Sequence, residues 1–305
     1  MALFQPNCSN CDITGGWDPN TSSTASSVSG VFQERALIYS HETDGKKITP
    51  HTFYGKHYRD TMTFFDPSVD DYHKGEPSVT GDIKIMSVTG VDKQFSTDYE
   101  GFVGLAPYTD TAKASKKADN FMYQLKYDLK AIDHLVAGVY MSNAGRAHIK
   151  FGSHDKNAMA MGTSLSMMKT RNLSTWAVKL YTFESFVGSI DVQKTPHYAL
   201  FEPQLPYIYI PEDHFLKFMG EVSSFYQYNQ ISCNYQPRGQ CYFKHSCNHV
   251  KGMFNMGDFK LRIGDDTGSK FPISFNMRDV LVPGHHLGGQ ENECFIGIFS
   301  SKEIE

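Results

Sequence analysis

Apolar positions along this chain recur mostly at every second residue. The clearest case is Trp176-Ala177-Val178-Lys179-Leu180-Tyr181-Thr182-Phe183, whose alternation predicts a half-buried strand. Short runs of the same kind occupy residues 36–39, 61–65, 83–88, 136–141, 147–151 and 207–210, separated by Gly, Asp, Asn or Pro. A period of four at Phe121, Leu125 and Leu129 predicts a helix over residues 121–130. Pro211-Glu212-Asp213 makes a good first turn for a second short helix carrying Phe215, Leu216, Phe218 and Met219. Many short strands with few helices predict a mainly β architecture, sandwich or barrel-like. No internal repeat is evident, and the one low-complexity stretch is the Ser/Thr-rich segment 21–29.

Composition narrows the function classes. The 305 residues are 40% apolar, 13% aromatic and 20% charged, a folded globular profile with room for one large domain or two medium ones. Lys plus Arg is 29 against 33 for Asp plus Glu, so a net charge of −4 gives no basic footprint for nucleic acid. No apolar run approaches the roughly 18 residues of a membrane-spanning helix. Residues 1–11 lack the basic start and apolar stretch of a secretion signal, which favours an intracellular or organellar setting. The chain carries no P-loop, no Rossmann glycine pattern and no H-E-x-x-H, so no cofactor is expected.

Several segments, in order, resemble the pepsin-like aspartic peptidases. Cys8-Ser9-Asn10-Cys11, Trp17-Asp18-Pro19 and Ser22-Ser23-Thr24 are similar to the C-x-x-C…F-D-P-x-x-S-S-T loop that follows the family's first catalytic motif. The stretch Tyr99-Glu100-Gly101-Phe102-Val103-Gly104-Leu105-Ala106-Pro107 resembles Y-D-G-I-L-G-L-A. Phe121 with Leu125, then Val139-Tyr140-Met141-Ser142, then Ile149-Lys150-Phe151-Gly152-Ser153-His154-Asp155 resemble F…L, V-Y-L-S and L-x-F-G-G-x-D. Trp176 and its strand fall where the family has W-x-I-x-x-x-x-I, and Cys247 and Cys294 sit like the pair closing the C-terminal lobe. The resemblance spans residues 8–298 and implies a bilobal pepsin-like fold, mainly β with a few short helices and truncated at both ends. Residues 1–145 would form an N-terminal-lobe-like region and residues 146–305 a C-terminal-lobe-like region. The first lacks the first catalytic motif and the second the final strands, since the chain stops at Glu305 soon after Cys294-Phe295-Ile296-Gly297-Ile298.

The catalytic parts depart from the family. Its members carry two Asp-Thr-Gly motifs whose carboxylates share a proton and activate a water. The first should precede Cys8, but only seven residues stand there and none is Asp. At the second, Ala199-Leu200-Phe201-Glu202-Pro203-Gln204 runs gap-free to Pro211, with Glu202-Pro203-Gln204 in place of Asp-Thr-Gly. Glu202 is a methylene longer than Asp, Pro203 removes a hydroxyl and a backbone N–H, and Gln204 adds a side chain where glycine lets water approach. The flap-like stretch over residues 48–55 lacks a Tyr-Gly-x-Gly hairpin, and Tyr54 has no secure place in it. The expected catalytic set is therefore empty, with Glu202 in the degenerate second position.

Other motifs read as structure. Asp266-Thr267-Gly268-Ser269 spells the catalytic tripeptide, but its setting between residues 261–263 and 271–273 predicts a hairpin turn. Gly162-Thr163-Ser164-Leu165 precedes Trp176 and is expected to be an ordinary strand. Cys233, Cys241, His245, Cys247 and His249 have spacings that fit no closed zinc motif, so disulfides or free core thiols are expected before a metal. The resemblance pairs Cys247 with Cys294 and leaves Cys233 with Cys241 as a local bridge. Cys8 and Cys11 are open to a bridge or to two thiols. Three Asn-x-Ser/Thr-type sequons, at Asn7, Asn20 and Asn172, fit the family's secretory history. Lys113-Ala114-Ser115-Lys116-Lys117 reads as a solvated loop, and His285-His286 lies in a Gly/Pro-rich loop.

The expected function is a non-catalytic aspartic-peptidase-like protein working through contacts with other protein chains, as an accessory subunit whose partner completes the sheet at the truncated ends. Two alternatives stand beside it: an active peptidase completed by another chain or a longer product, and a secreted inhibitor or receptor-like binding protein on the same fold.

Overall fold

A computed structural model of the chain describes residues 1–13, 15–40, 47–65, 77–97, 99–106, 120–141, 147–154, 159, 161–171, 175–186, 188–190, 197–202, 205, 207–227, 230–234, 240–253, 257–287 and 289–303. The architecture is mainly β, with few and short helices. It divides into two compact units, Met1–Ala36 with His51–Leu165 and Leu37–Pro50 with Ser166–Glu305.

Five strands lie wholly or mainly in the first unit: β1 (Ala2–Ile13), β2 (Ser26–Ser40), β3 (Lys47–Phe65), β4 (Pro77–Thr97) and β5 (Gly101–Phe102). They lie in the order β2-β3-β4-β1-β5. β3 and β4 form a long antiparallel pair, whereas β1 runs parallel to β4 and antiparallel to β5. Alternation places Ile83 and Ile85 on one face, where they pack with Met1, Phe121, Met122 and Leu125. A second apolar group is aromatic: Phe4 lies 5.3 Å from Phe95, and Phe53 lies 5.3 Å from Phe102 and 5.7 Å from Phe95. Residues 48–55 lie inside β3, with Tyr54 opposite Gly90.

The helix expected over residues 121–130 is only partly formed. A single turn, α1 (Phe121–Tyr123), capped by the Asn120 side chain, widens at once into a π-turn over Gln124–Asp128. A period of four cannot distinguish the two, because both bring Phe121 and Leu125 to the core. The widening turns Gln124 inward, where its buried side-chain amide accepts from the Lys84 N–H and donates to the Lys84 carbonyl. A two-stranded ribbon, β6 (Ala137–Met141) with β7 (Ala147–Phe151), completes this unit.

The second unit begins with β8 (Ala177–Ser185), β9 (Gly188–Ile190), β10 (His197–Leu200) and β11 (Ile208–Ile210). After Pro211 comes α2 (Glu212–Phe225), as its first turn predicts, with Glu212 and Asp213 favourably placed at the positive end of its dipole. Next follow β12 (Ile231–Asn234), β13 (Gln240–Phe243), α3 (Cys247–Met253), β14 (Asp258–Gly264), β15 (Lys270–Asn276), β16 (Leu281–Pro283), β17 (Cys294–Ile296) and β18 (Ile298–Ser300). One sheet runs β10-β8-β14-β15 with β9 beside β8, another runs β12-β13-β17-β16, and β11 pairs in parallel with β18. Phe215, Phe218, Met219 and Val222 on α2 are buried with Val250, Phe243, Phe259, Met277 and Ile296 in one core. Each fully buried apolar side chain of this size contributes about 1.5–3 kcal/mol.

The six short runs read as strands from alternation lie in β2, β3, β4, β6, β7 and β11. Residues 162–165, expected as a strand, are not one: Gly162 turns the chain at a φ of 81° and Leu165 is exposed. Three disulfides are present, Cys8–Cys11, Cys233–Cys241 and Cys247–Cys294. Among the described residues no helix is long and apolar enough to cross a membrane, and no three His, Cys, Asp or Glu side chains gather as a metal set.

Candidate functional site

Glu202 follows the end of β10. The Phe201 N–H bonds back to the Trp176 carbonyl at 3.1 Å, and the Leu205 N–H bonds to the Glu202 carbonyl at 3.0 Å, which turns the chain here. Glu202 is partly buried, whereas the preceding Phe201 is exposed. Pro203 and Gln204, which follow Glu202 in the sequence, lie outside the described residues, as do Pro107, Lys113 to Lys117, Ser142, Asp155 and the sequon at Asn172.

The segment upstream of Cys8 is strand, which its sequence conceals because Pro6 and a polar run break the alternation. Between Phe4 and Ser9, β1 uses five residues where β4 uses two, since the paired positions are Val88 and Gly90. Residues 5–8 therefore bulge out of the ladder. Gln5 heads this bulge, and its side-chain amide donates to the fully buried Ser87 hydroxyl at 2.7 Å. The returning chain crosses just above, with the Trp17 N–H on the Phe4 carbonyl at 2.8 Å. Gly16 is required there. Its φ is 129°, and a Cβ would stand 2.8 Å from the Phe4 oxygen.

Trp17, Ser22 and Thr24, which carry part of the loop resemblance, converge on one buried carboxylate that sequence reading overlooked. Trp17 Nε1 donates to Asp60 Oδ2 at 3.1 Å, and Ser22 Oγ donates to Asp60 Oδ1 at 2.9 Å. Thr24 Oγ1 and the Thr61 N–H also donate to Oδ1. Burial alone would raise the pKa of Asp60, but the donors Thr24, Ser22, Trp17 and Thr61 outweigh it and hold the group below its ordinary value. A carboxylate held by four donors is an anchor for the loop, with no proton to offer.

On the same unit, the buried ring of His51 packs edge-on to Phe95 at 5.1 Å, with Asp92 Oδ1 3.7 Å from its Nδ1. Desolvation would raise the Asp92 pKa, yet hydrogen bonds from Thr52 and the charges of His51 and Lys93 hold it low.

The Asp266-Thr267-Gly268 tripeptide and the following Ser269 lie in the turn joining β14 to β15, as their context predicts. Gly264 pairs with Lys270 to close this hairpin, and a Cβ on Gly264 would stand 1.8 Å from the Ser269 carbonyl oxygen. Asp265 organises the turn: Thr267 donates to its Oδ1 through N–H, at 2.9 Å, and through hydroxyl. The Thr267 hydroxyl is the main cause of its lowered pKa, with burial opposing and the Lys169, Thr267 and Ser269 backbone assisting. Tyr181 OH donates to the Asp265 carbonyl at 2.6 Å, and Lys179 pairs with Asp266 at 3.5 Å. These contacts build a turn and leave Asp266 in a surface ion pair.

No protein-family model matches the chain, and no curated protein shows significant similarity to it.

The sequence does carry one short internal echo. Ala2-Leu3-Phe4-Gln5-Pro6-Asn7 is echoed by Ala199-Leu200-Phe201-Glu202-Pro203-Gln204, with four of six positions identical and the others Gln for Glu and Asn for Gln. Six residues are too few for a periodicity search to register. In the structure the first copy lies at the start of β1, with Gln5 inside the strand, whereas the second begins in β10 and carries Glu202 just past its end.

Proposed function

We propose that this chain is a non-catalytic relative of the pepsin-like aspartic peptidases, bilobal in fold, that works by binding other protein chains. The observation that carries the reading is the hexapeptide echo. Glu202-Pro203-Gln204 aligns gap-free with the family's second Asp-Thr-Gly, and the echo puts Gln5-Pro6-Asn7 in the matching place of the first. A side-chain amide neither takes nor gives a proton in water, so Gln5 cannot share one with Glu202 as two aspartates would. Its bond to Ser87 directs it to the interior rather than to a substrate. The ordered motifs at residues 8–24, 99–107, 121–125, 139–155 and 176 support the ancestry, and Asp60 gives three of those residues one structural purpose.

The test is incubation of purified protein with an unfolded protein substrate from pH 3 to 7, with and without pepstatin. No cleavage is expected at any pH. In parallel, native mass spectrometry of the protein purified gently from its source is expected to show it bound to a second polypeptide. Pepstatin-sensitive cleavage that disappears in Glu202→Gln would overturn the reading. Glu202→Gln itself is expected to change unfolding stability by less than about 1 kcal/mol, because the residue is only partly buried and the substitution keeps its size. Urea titration of the two proteins measures this directly.

A further inference from the structure

We infer that Cys8–Cys11 is a site of reversible thiol–disulfide exchange, opened by a small dithiol or a dithiol protein while the other two bridges stay closed. This goes beyond the binding role proposed above and does not depend on it.

Three observations distinguish this bridge. The first is access. Pro6, Asn7, Ser9, Asn10 and Asp12 are all exposed; Cys8 is buried, but Cys11 is only partly covered and is the sulfur an incoming thiolate reaches. Exchange requires a thiolate to reach a sulfur in line with the bond, which makes access decisive. By contrast Cys294 is fully buried between strands β16 and β13, beside buried Phe295 and Ile296. Cys233 faces Cys241 across the β12–β13 ladder, and both lie on the core that holds Met219 and Phe243.

The second is loop size. Cys8 and Cys11 are three residues apart in sequence, against eight and 47 for the other bridges. A bridge stabilises mainly by restricting the unfolded chain, and the shortest loop restricts it least. Opening this one therefore removes the least stability.

The third is that the local backbone is held without the bridge. Asn10 has a φ of 60°, a conformation asparagine tolerates, and its Nδ2 donates to the Val91 carbonyl at 2.9 Å. Ser9 Oγ donates to the Thr89 carbonyl at 3.4 Å. Both contacts join the segment to β4 through atoms that reduction leaves untouched. The Ser9 carbonyl also lies 3.8 Å from Cys8 Sγ and 3.6 Å from Cys11 Sγ, so each new S–H has an acceptor in reach.

The step balances as follows. A thiolate of the dithiol attacks Cys11 Sγ, forming a mixed disulfide and expelling Cys8 as thiolate, which takes up a proton. The second thiolate of the reductant then attacks its own sulfur in the mixed disulfide, releasing Cys11. Two electrons pass to the protein, the reductant becomes its cyclic disulfide, and the reverse reaction uses an oxidised dithiol or oxidised glutathione.

The experiment titrates the native protein with dithiothreitol, blocks new thiols with one isotopic form of an alkylating reagent, then unfolds, reduces and labels the rest with the other form. Peptide mass spectrometry reads each cysteine. Cys8 and Cys11 are expected to label together at a reductant concentration at least tenfold below that for Cys233, Cys241, Cys247 or Cys294, and to close again with oxidised glutathione. The selectively reduced protein and the Cys8→Ser/Cys11→Ser variant are both expected to keep a cooperative thermal transition. Labelling of all six cysteines in one step, labelling of Cys247 and Cys294 first, failure to reclose, or loss of the cooperative transition on opening this bridge alone each overturn the inference.

Discussion

An Asp60→Ala variant loses about 3–5 kcal/mol of unfolding stability, the largest single effect expected in the first unit. Asp60 is buried and accepts from Trp17, Ser22, Thr24 and the Thr61 N–H. Hydrogen bonds to a charged acceptor contribute about 1.5–3 kcal/mol each, and removing the acceptor leaves the donors to be satisfied by whatever water can enter. The Trp17 indole also packs edge-on against Tyr58 at 5.7 Å, so the loop loses its footing on β3 as a whole. Urea unfolding at neutral pH measures the loss.

The same carboxylate gives a pH signature. Its pKa is lowered by folding, so its contribution is fully present above the unfolded value, roughly 4, and is lost as pH falls through the lower folded value. Asp92 and Asp265 are shifted in the same direction and add to the trend. Stability of the parent is therefore expected to fall with acid below about pH 4. In Asp60→Asn the dependence is shallower, and the difference between the two curves isolates Asp60. A parallel displacement of the curves, with unchanged slope, would show that the residue acts by shape alone.

Phe259→Ala is the corresponding lesion in the second unit, with an expected cost of about 4 kcal/mol. Phe259 is fully buried on β14, and its ring stands 5.0 Å from Phe275, 5.7 Å from Phe186, 6.0 Å from Phe183 and 6.1 Å from Phe218. Those partners come from β15, from the segment after β8, from β8 itself and from α2, so no single element can shift to fill the space. Phe259→Leu keeps much of the volume and is expected to lose less than half as much. Equal losses for the two variants would mean that the aromatic contacts rather than the cavity dominate.

What was legible in the sequence follows from what alternation can encode. Period-two runs located strands at β2, β3, β4, β6, β7, β8 and β11, and Pro211 with two acidic residues located α2. Alternation does not say which polar residue on a strand turns inward. Asp60 was therefore invisible although three of its partners were noticed for other reasons: Ser22 is 38 residues away in sequence, and only folding brings them together. β1 was hidden because a bulge breaks its period, and the π-turn after Tyr123 was hidden because its apolar spacing matches an α-helix. The candidate site was half legible. Glu202 stands out by its flanking Ala199 and Pro211, whereas the place proposed for Gln5 rests on the hexapeptide echo alone.

The inward turn of Gln124 has a consequence for association. β1 pairs with β4 from Met86 onward, and at Lys84 both peptide groups on that side of β4 are taken by the Gln124 amide. An incoming strand from another molecule needs free N–H and C=O groups in register to extend a sheet. At this level it meets a side chain already imitating the strand it would have been. One glutamine thus serves as a stopper, and the sheet of the first unit cannot be lengthened there by a stray chain without first expelling it.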